Sequence, residues 1–540
     1  MSLLSRAASL GLGFAAALAA APGISAVVNA ASYLPPSLPN SGVAQGALFT
    51  VFGAGLGPAT PAQAESYPLP ATQGIGGTTI QVTVNGTVEN CIMFYSSASQ
   101  LIAILPSPTP VGNGTLTVTY QGASGSSPIL VQGANFGAVT LNGAGFGPAV
   151  VTDQSYTPIT LIHPAHPGDI LTLWGTGMGP ISGDETQPPT AAQAVNFASQ
   201  TQVLIGNQPA TVSYAGRGGG SPALDQIDFV VPAGVSGCRT SITVAVGGVT
   251  GNVTTTAVAP AGQATCGDTY GLLTAENVQT AMASGSLTVG GIQAYRVGIL
   301  PDTFLGGIGT YPLNSLIRSL VGTLAPSVGS CAAYEVQGGS FVINDPYAPP
   351  TYLGMGAQLT IAGPAGSKTI GESATGVFLD TLAKPPSTWI APGPYTLSNG
   401  SGAGSNIGAF TWDLTLPANV IPTNLPSTVD LSQDLTLTWT GGAAFPIVII
   451  FGYAGVPLTL SGSNISFSEF VCTADGLSGQ FTIPSAMLNL IPPDGYATPT
   501  SKGLDIQLAG VALNTFTNLP GVAEAIFALY ESSGSVAKIQ

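Results

Sequence analysis

Short stretches in which apolar and polar residues alternate recur along the chain, separated by Gly, Pro and Asn. Thr79-Ile-Gln-Val-Thr-Val84 leads into Asn85-Gly86, the strongest short hairpin signal. Cys91–Tyr95 and Leu101–Pro106 follow, then Thr115–Tyr120 after a second Asn-Gly turn at Asn113-Gly114. The same grammar returns as Thr201–Ile205 before Gly206-Asn207, then Thr211–Tyr214, Asp225–Pro232 and Ser241–Val246. Period-two alternation with one apolar face predicts antiparallel sheets packed face to face. Helical periodicity is confined to Thr274–Ala283, with Thr274 as N-cap, and to Asn314–Leu320. Strand signals then resume from Ala333 to Tyr530, with Pro417–Pro426 reading as a linker. Ala443–Leu460 is apolar, but Pro446, Gly452, Gly455 and Pro457 interrupt it and its centre is β-branched, so it predicts a buried strand and not a membrane span.

The two runs of strands are copies. Gly46–Pro58 returns 122 positions later as Gly168–Pro180, with the Gly-x-Gly-x-Gly-Pro ending kept. A repeat of this length marks a duplicated unit. Each copy is expected to supply the opening strand and closing turn of one sandwich. A dinucleotide loop would need a helix directly after the glycines, and Pro58 and Pro180 run into loop sequence. Boundaries are expected near 133, 265 and 420. They give sandwiches over 27–132 and 133–265, a β-rich domain with a short N-terminal helix over 266–420, and a C-terminal sandwich over 421–540.

Composition narrows the class. Gly (73) and Pro (44) exceed a fifth of the 540 residues, only 6% are charged, and 45% are hydrophobic. Such a chain has apolar mass for cores and many turns between short strands. The net charge of −15 argues against a nucleic-acid partner, which needs clustered Lys and Arg. Arg6, the apolar Leu10–Ala21 and Ile24-Ser-Ala26 predict a secretory leader over 1–26, with Val27 as the mature start. Secreted or cell-surface localisation follows, with no transmembrane segment after cleavage. Five cysteines in an exported chain predict disulfides and one leftover thiol. Cys238 and Cys266 bracket the end of the second unit and pair first; Cys331 and Cys472 form a second candidate pair, and Cys91 is the odd residue.

Val28–Tyr33 and Phe52–Pro58, with Trp174–Pro180 and Gln226–Pro232, resemble the Ig-like TIG/IPT fold. More closely they are similar to paired Ig-like modules of uncharacterised secreted proteins from soil acidobacteria (Solibacter-type). The resemblance spans 27 to about 262 and extends loosely to the C-terminal half through Pro326–Cys331, Gly408–Phe410 and Leu437–Gly442. It implies fold and location, and no activity.

No catalytic set stands out. His163 and His166, with Asp169 nearby, offer a zinc ion two nitrogens where three or four ligands are wanted. No Gly-x-Ser-x-Gly elbow occurs. Asp184/Glu185, Asp225/Asp228 and Asp430/Asp434 are weak carboxylate clusters, expected as solvated turn residues, with a structural calcium as the alternative. No other cofactor is implied. Trp174, Trp412 and Trp439 are expected inside, leaving Trp389 as the exposed aromatic for stacking on a ligand. The expectation is an all-β, non-enzymatic structural or adhesion protein of the cell exterior. The alternative is a carbohydrate-binding or carbohydrate-active protein using its C-terminal half, with a glycan or an extracellular protein as partner.

Overall fold

Alternation in Thr78–Val84 turns Thr78, Ile80, Val82 and Val84 inward and the residues between them outward. The chain then reverses at Asn85 and Gly86, at φ 50° and 82°, the pair of positive values a tight hairpin requires. Gly206 and Asn207 repeat this turn, at 55° and 61°, between Thr201–Ile205 and Gln208–Pro209. In the computed structural model, which describes residues 21–36, 38–298, 300–318, 326–337, 350–457, 465–498 and 501–540, strands built this way make an all-β protein. Asn113-Gly114 differs from expectation: it lies within Gly112–Tyr120. A Cβ on Gly114 would stand 2.6 Å from the Thr83 carbonyl, so the glycine serves close strand approach and not a turn.

The first sandwich stacks Gly23–Asn29, Leu48–Ala54, Gln100–Ile104, Ile92–Ser96 and Ala62–Gln63 on a second sheet. That sheet is ordered Val43–Ala44, Ala123–Gln132, Gly112–Tyr120, Thr78–Val84, Thr87–Asn90. The second sandwich repeats the order. Gly137–Ala138, Ile170–Thr176, Asp225–Val230, Thr211–Arg217 and Gln193–Ala194 face Gly147–Pro148, Thr254–Val258, Gly237–Val246, Thr201–Ile205 and Gln208–Pro209. The repeated segment is therefore an inner strand of each sheet, not the opening strand expected. In the first copy the outer neighbour is Gly23–Asn29, which pairs Gly23 with Ala54 and Ile24 with Gly53. That strand begins upstream of Val27, the expected mature start; the rest of the expected leader, 1–20, lies outside the described residues.

The two sandwiches are locked by buried polar contacts. Asn29 Nδ2 donates to the carbonyls of Asn135 and Thr176, at 3.1 Å each, and Asn135 Nδ2 donates to those of Asn40 and Gly42 at 2.9 Å. Glu185 accepts both the N–H and the hydroxyl of Ser107 at 2.8 Å, and burial pushes its carboxyl up.

Beyond Gly267 the described residues form one large sheet and a small one. The large sheet is ordered Cys331–Gln337, Ile465–Asp475, Ile447–Pro457, Leu504–Phe516, Glu524–Ile539, Ser286–Arg296, Asp302–Pro312, Val377–Ala383, Gly366–Ala374, Gln358–Gly363, Gly393–Ser398, Thr411–Leu416. Ser286–Arg296 lies parallel to Glu524–Ile539, and one core runs from Ile292 to Ala537. The boundary expected near 420 is thus corrected: strands from both sides of it interleave in one sheet, so neither part has a core of its own. The apolar Ile447 run is an interior strand with Val448 and Ile450 fully buried; Leu458–Leu460 lie outside the described residues. Ala275–Ser284 is a helix capped by Thr274, whose hydroxyl accepts the Asn277 N–H at 3.2 Å, and Leu313–Arg318 is a short second one.

Cys238 is bonded to Cys266, Cys331 to Cys472, and Cys91 is a buried free thiol. Between the two disulfides lies a polar cleft of about 280 Å³ where the second sandwich meets the large sheet. Asp268 in its wall accepts the Cys238 N–H at 3.0 Å, the Ser327 hydroxyl at 2.5 Å and Arg239 Nη2 at 3.3 Å. Its oxygens are consumed by the joint itself.

Candidate functional site

The glycine turn of the second copy binds an anion, but it is one of the chain's own. Gly177 and Met178, in the second copy of the repeat, donate their N–H groups to Asp225 Oδ2 at 2.7 and 2.8 Å. Asp225 Oδ1 accepts Arg217 Nε at 2.6 Å, and Arg217 Nη2 reaches across to the carbonyl of Gly46, the first residue of the other copy, at 2.8 Å. Arg217 and Asp225 are 1% and 0% exposed. Burial pushes the Asp225 carboxyl up, against the opposing pull of the guanidinium and the two amides. These are joint residues with no open side.

Asp225 and Asp228, expected together, point to opposite faces because they lie three positions apart along one strand. On the outer face, Asp228 stands across from Thr172 and Tyr214, and Gln226 across from Trp174. Thr172 donates its hydroxyl to Asp228 Oδ1 at 2.7 Å, and Gln226 Nε2 lies 3.3 Å from Oδ2. The Trp174 indole N–H donates to Thr152 Oγ1 at 3.1 Å. Tyr156, 72% exposed, sets its ring 6.2 Å from that of Trp174, inclined by 30°.

The loop carrying Tyr156 is built locally. Asp153 Oδ1 accepts the N–H groups of Ser155 and Thr157 at 2.8 and 2.9 Å, which holds Tyr156 at φ 61°. These donors, Thr157 first, hold the Asp153 carboxyl below its ordinary value, and His163 Nε2 adds a contact at 3.3 Å.

The first sandwich carries the same face in another state. Phe52 stands opposite Gln100, Thr50 opposite Ile102, and Tyr95 opposite Ile102 beyond a bulge matching the one at Val212/Tyr214. Tyr33, at φ 53°, packs on Phe52 with centroids again 6.2 Å apart. Leu69 and Ala223 cover Ile92 and Ile104 there, and burial pushes the Tyr33 phenol up. Thus Tyr33, Phe52, Tyr95, Gln100 and Ile102 correspond to Tyr156, Trp174, Tyr214, Gln226 and Asp228. In the second copy the phenylalanine is an indole, the isoleucine is a carboxylate, and the tyrosine is in solvent.

Two aromatic expectations are corrected. Trp389 is 5% exposed, edge-on to Tyr395, with Trp389 and Ile390 donating their N–H groups to Asp302, so it offers no surface. Trp174 is half-buried, not in the core, because Leu171 and Leu173 face the core and Trp174 shares parity with Thr172. That parity was readable in Leu-Thr-Leu-Trp. Trp412 and Trp439 are buried.

The remaining candidates are not brought together. His166 contacts Asp169 at 3.6 Å and the Gln263 carbonyl at 2.9 Å, whereas His163 turns to Asp153. Asp184 caps Thr186, Asp430 caps Ser432, and Asp434 accepts the Ser485 N–H. Among the described residues no group of three or more His, Cys, Asp or Glu is placed to hold a metal ion, and no helix is long and apolar enough to cross a membrane.

Residues 36–132, most of the first sandwich, match the IPT/TIG domain family. No curated protein matches the chain. Among solved structures it is similar to SGBP-B of the Bacteroides ovatus mixed-linkage glucan utilization locus, in complex with a mixed-linkage heptasaccharide. The identity is 12%, coverage is 77% of this chain and 84% of that one, and the TM-score is 0.14. SGBP-B from a complex xyloglucan utilization locus in Bacteroides uniformis is 10% identical, with 86% and 97% covered and a TM-score of 0.15. The ICAM-5 D1–D4 ectodomain fragment is 10% identical, with 92% and 96% covered and a TM-score of 0.11. At these TM-scores the likenesses carry nothing about ligand or domain arrangement.

Proposed function

We propose that this chain is a non-enzymatic protein of the cell exterior, a rigid adhesion or scaffold arm built from Ig-like modules. The observation that carries the reading is the Arg217–Asp225–Gly46 contact, which fuses the two duplicated sandwiches through a fully buried ion pair. A flexible tether between catalytic modules has no use for such a joint; a display arm does. The two disulfides and the likeness to Solibacter-type secreted proteins support an oxidising, extracellular setting.

The carbohydrate reading moves off the C-terminal half, because Trp389 is core, and onto the second sandwich, where Trp174 and Tyr156 are at the surface. The test is a screen of the purified chain against chromogenic glycosides, esters and peptides, run beside adhesion of protein-coated beads to polysaccharide and protein matrices. Matrix retention without turnover is the expected result. Turnover that a single point substitution abolishes overturns the reading.

A further inference from the structure

We infer that the outer face of the second sandwich is a binding site for uncharged saccharides, with Trp174 and Tyr156 as the platform and Asp228 and Gln226 as the hydroxyl-binding edge. The inference rests on the non-enzymatic reading above and names the ligand class of its exposed face.

A pyranose ring has one face rich in C–H groups and a rim of hydroxyls. Its recognition needs an aromatic surface for the first and mixed donors and acceptors beside it for the second. Tyr156 and Trp174 supply adjoining rings 6.2 Å apart, inclined by only 30°. Asp228 lies one residue pair further along the same face, across from Thr172. It receives the Thr172 hydroxyl at 2.7 Å and the Gln226 amide at 3.3 Å, and a carboxylate has about four acceptor sites, so capacity remains for sugar hydroxyls. The Thr172 and Gln226 bonds also hold the carboxylate in place before any ligand arrives, which lowers the ordering cost of binding.

The duplicated unit supplies an internal control. The first copy keeps the tyrosine, the second aromatic, the bulge tyrosine and the glutamine at matching positions. That copy has Ile102 where the second has Asp228, its tyrosine Tyr33 is half-buried, and Leu69 and Ala223 cover only the Ile92–Ile104 end of its face. The scaffold therefore keeps the aromatic pair in both copies, but it needs neither the carboxylate nor a tyrosine in solvent. Both are peculiar to the second copy.

Charge selects among saccharides. The patch offers a carboxylate, and the guanidinium on the neighbouring strand, that of Arg217, is 1% exposed and engaged with Asp225. With a net charge of −15 the chain repels uronate and sulfate groups. Neutral hexose or pentose chains fit; polyanionic ones do not.

The test is a glycan array carrying neutral and acidic oligosaccharides, followed by calorimetric titration of the best neutral ligand into the full chain. Binding of at least one neutral glycan is expected, with a change in tryptophan emission, since Trp389, Trp412 and Trp439 are buried. Trp174→Ala and Tyr156→Ala should each weaken binding about tenfold or more, and Asp228→Asn several-fold. Trp174→Phe, which restores the residue of the first copy, keeps the packing and should fall between. Absence of any neutral ligand, preference for acidic glycans, or unchanged affinity in both Trp174→Phe and Tyr156→Ala overturns the inference. Cleavage of a bound glycan would instead overturn the non-enzymatic reading and leave this site standing.

Discussion

Replacing Arg217 with leucine removes the guanidinium from the joint between the sandwiches while roughly keeping its buried bulk. Asp225 would be left 0% exposed with its two amide donors, Gly177 and Met178, and no counter-charge, and the Gly46 carbonyl would lose its donor. Removing one member of a buried pair costs about 3–5 kcal/mol, mostly the desolvation of the charge that remains. For a unit of roughly 200 residues each kcal/mol lowers Tm by about 2–4 °C, so a fall on the order of 6–20 °C is expected. Differential scanning calorimetry of the full chain at pH 7 would read it, in the transition that includes the sandwiches. Adding Asp225→Asn to Arg217→Leu removes the stranded charge but keeps an oxygen for the Gly177 and Met178 amides, and should recover part of the loss. A single-variant shift of no more than a few degrees, with no recovery in the double variant, would refute the claim that this ion pair holds the joint.

Four further outcomes are expected. Burial pushes the carboxyls of Glu335 and Glu469 up to about 8 and about 7. The folded chain therefore holds protons that the unfolded chain has released above about pH 4.5, and stability declines as pH rises from about 4.5 to 8. A Tm higher at pH 5.5 than at pH 8.5, with the slope reduced in Glu469→Gln, checks this; a Tm that rises over the interval contradicts it. Cys331→Ser/Cys472→Ser opens a closure of 141 residues and should cost about 4–5 kcal/mol in a chain-entropy picture, read by urea midpoints. Trp389→Ala empties a core site and should cost about 3–5 kcal/mol while leaving saccharide affinity unchanged, the reverse of Trp174→Ala. N-terminal sequencing of exported protein should find a start upstream of Gly23, because Gly23–Asn29 pairs with Leu48–Ala54 along its length; a start at Val27 would show that the upstream half of this strand is dispensable.

Alternation and turn chemistry determined most of the local structure by themselves. Asn85-Gly86 and Gly206-Asn207 had to be hairpins because few residues accept two successive positive φ values, and Thr274 had to cap a helix. The duplication was legible in Gly46–Pro58 and Gly168–Pro180, and with it the two matching sandwiches. Parity within Leu171–Trp174 was legible too, although aromatic bulk argued for the inside. Long-range pairing was not. No residue near 420 announces that Ser286–Arg296 will lie beside Glu524–Ile539, since parallel neighbours far apart in sequence leave no local signal. Nor does Arg217 show in sequence that it will cross to Gly46. Only packing decided how open each of the two equivalent faces is. Leu69 and Ala223 cover the Ile92–Ile104 end of the first, whereas the second keeps Tyr156 in solvent and carries a carboxylate whose charge favours staying there.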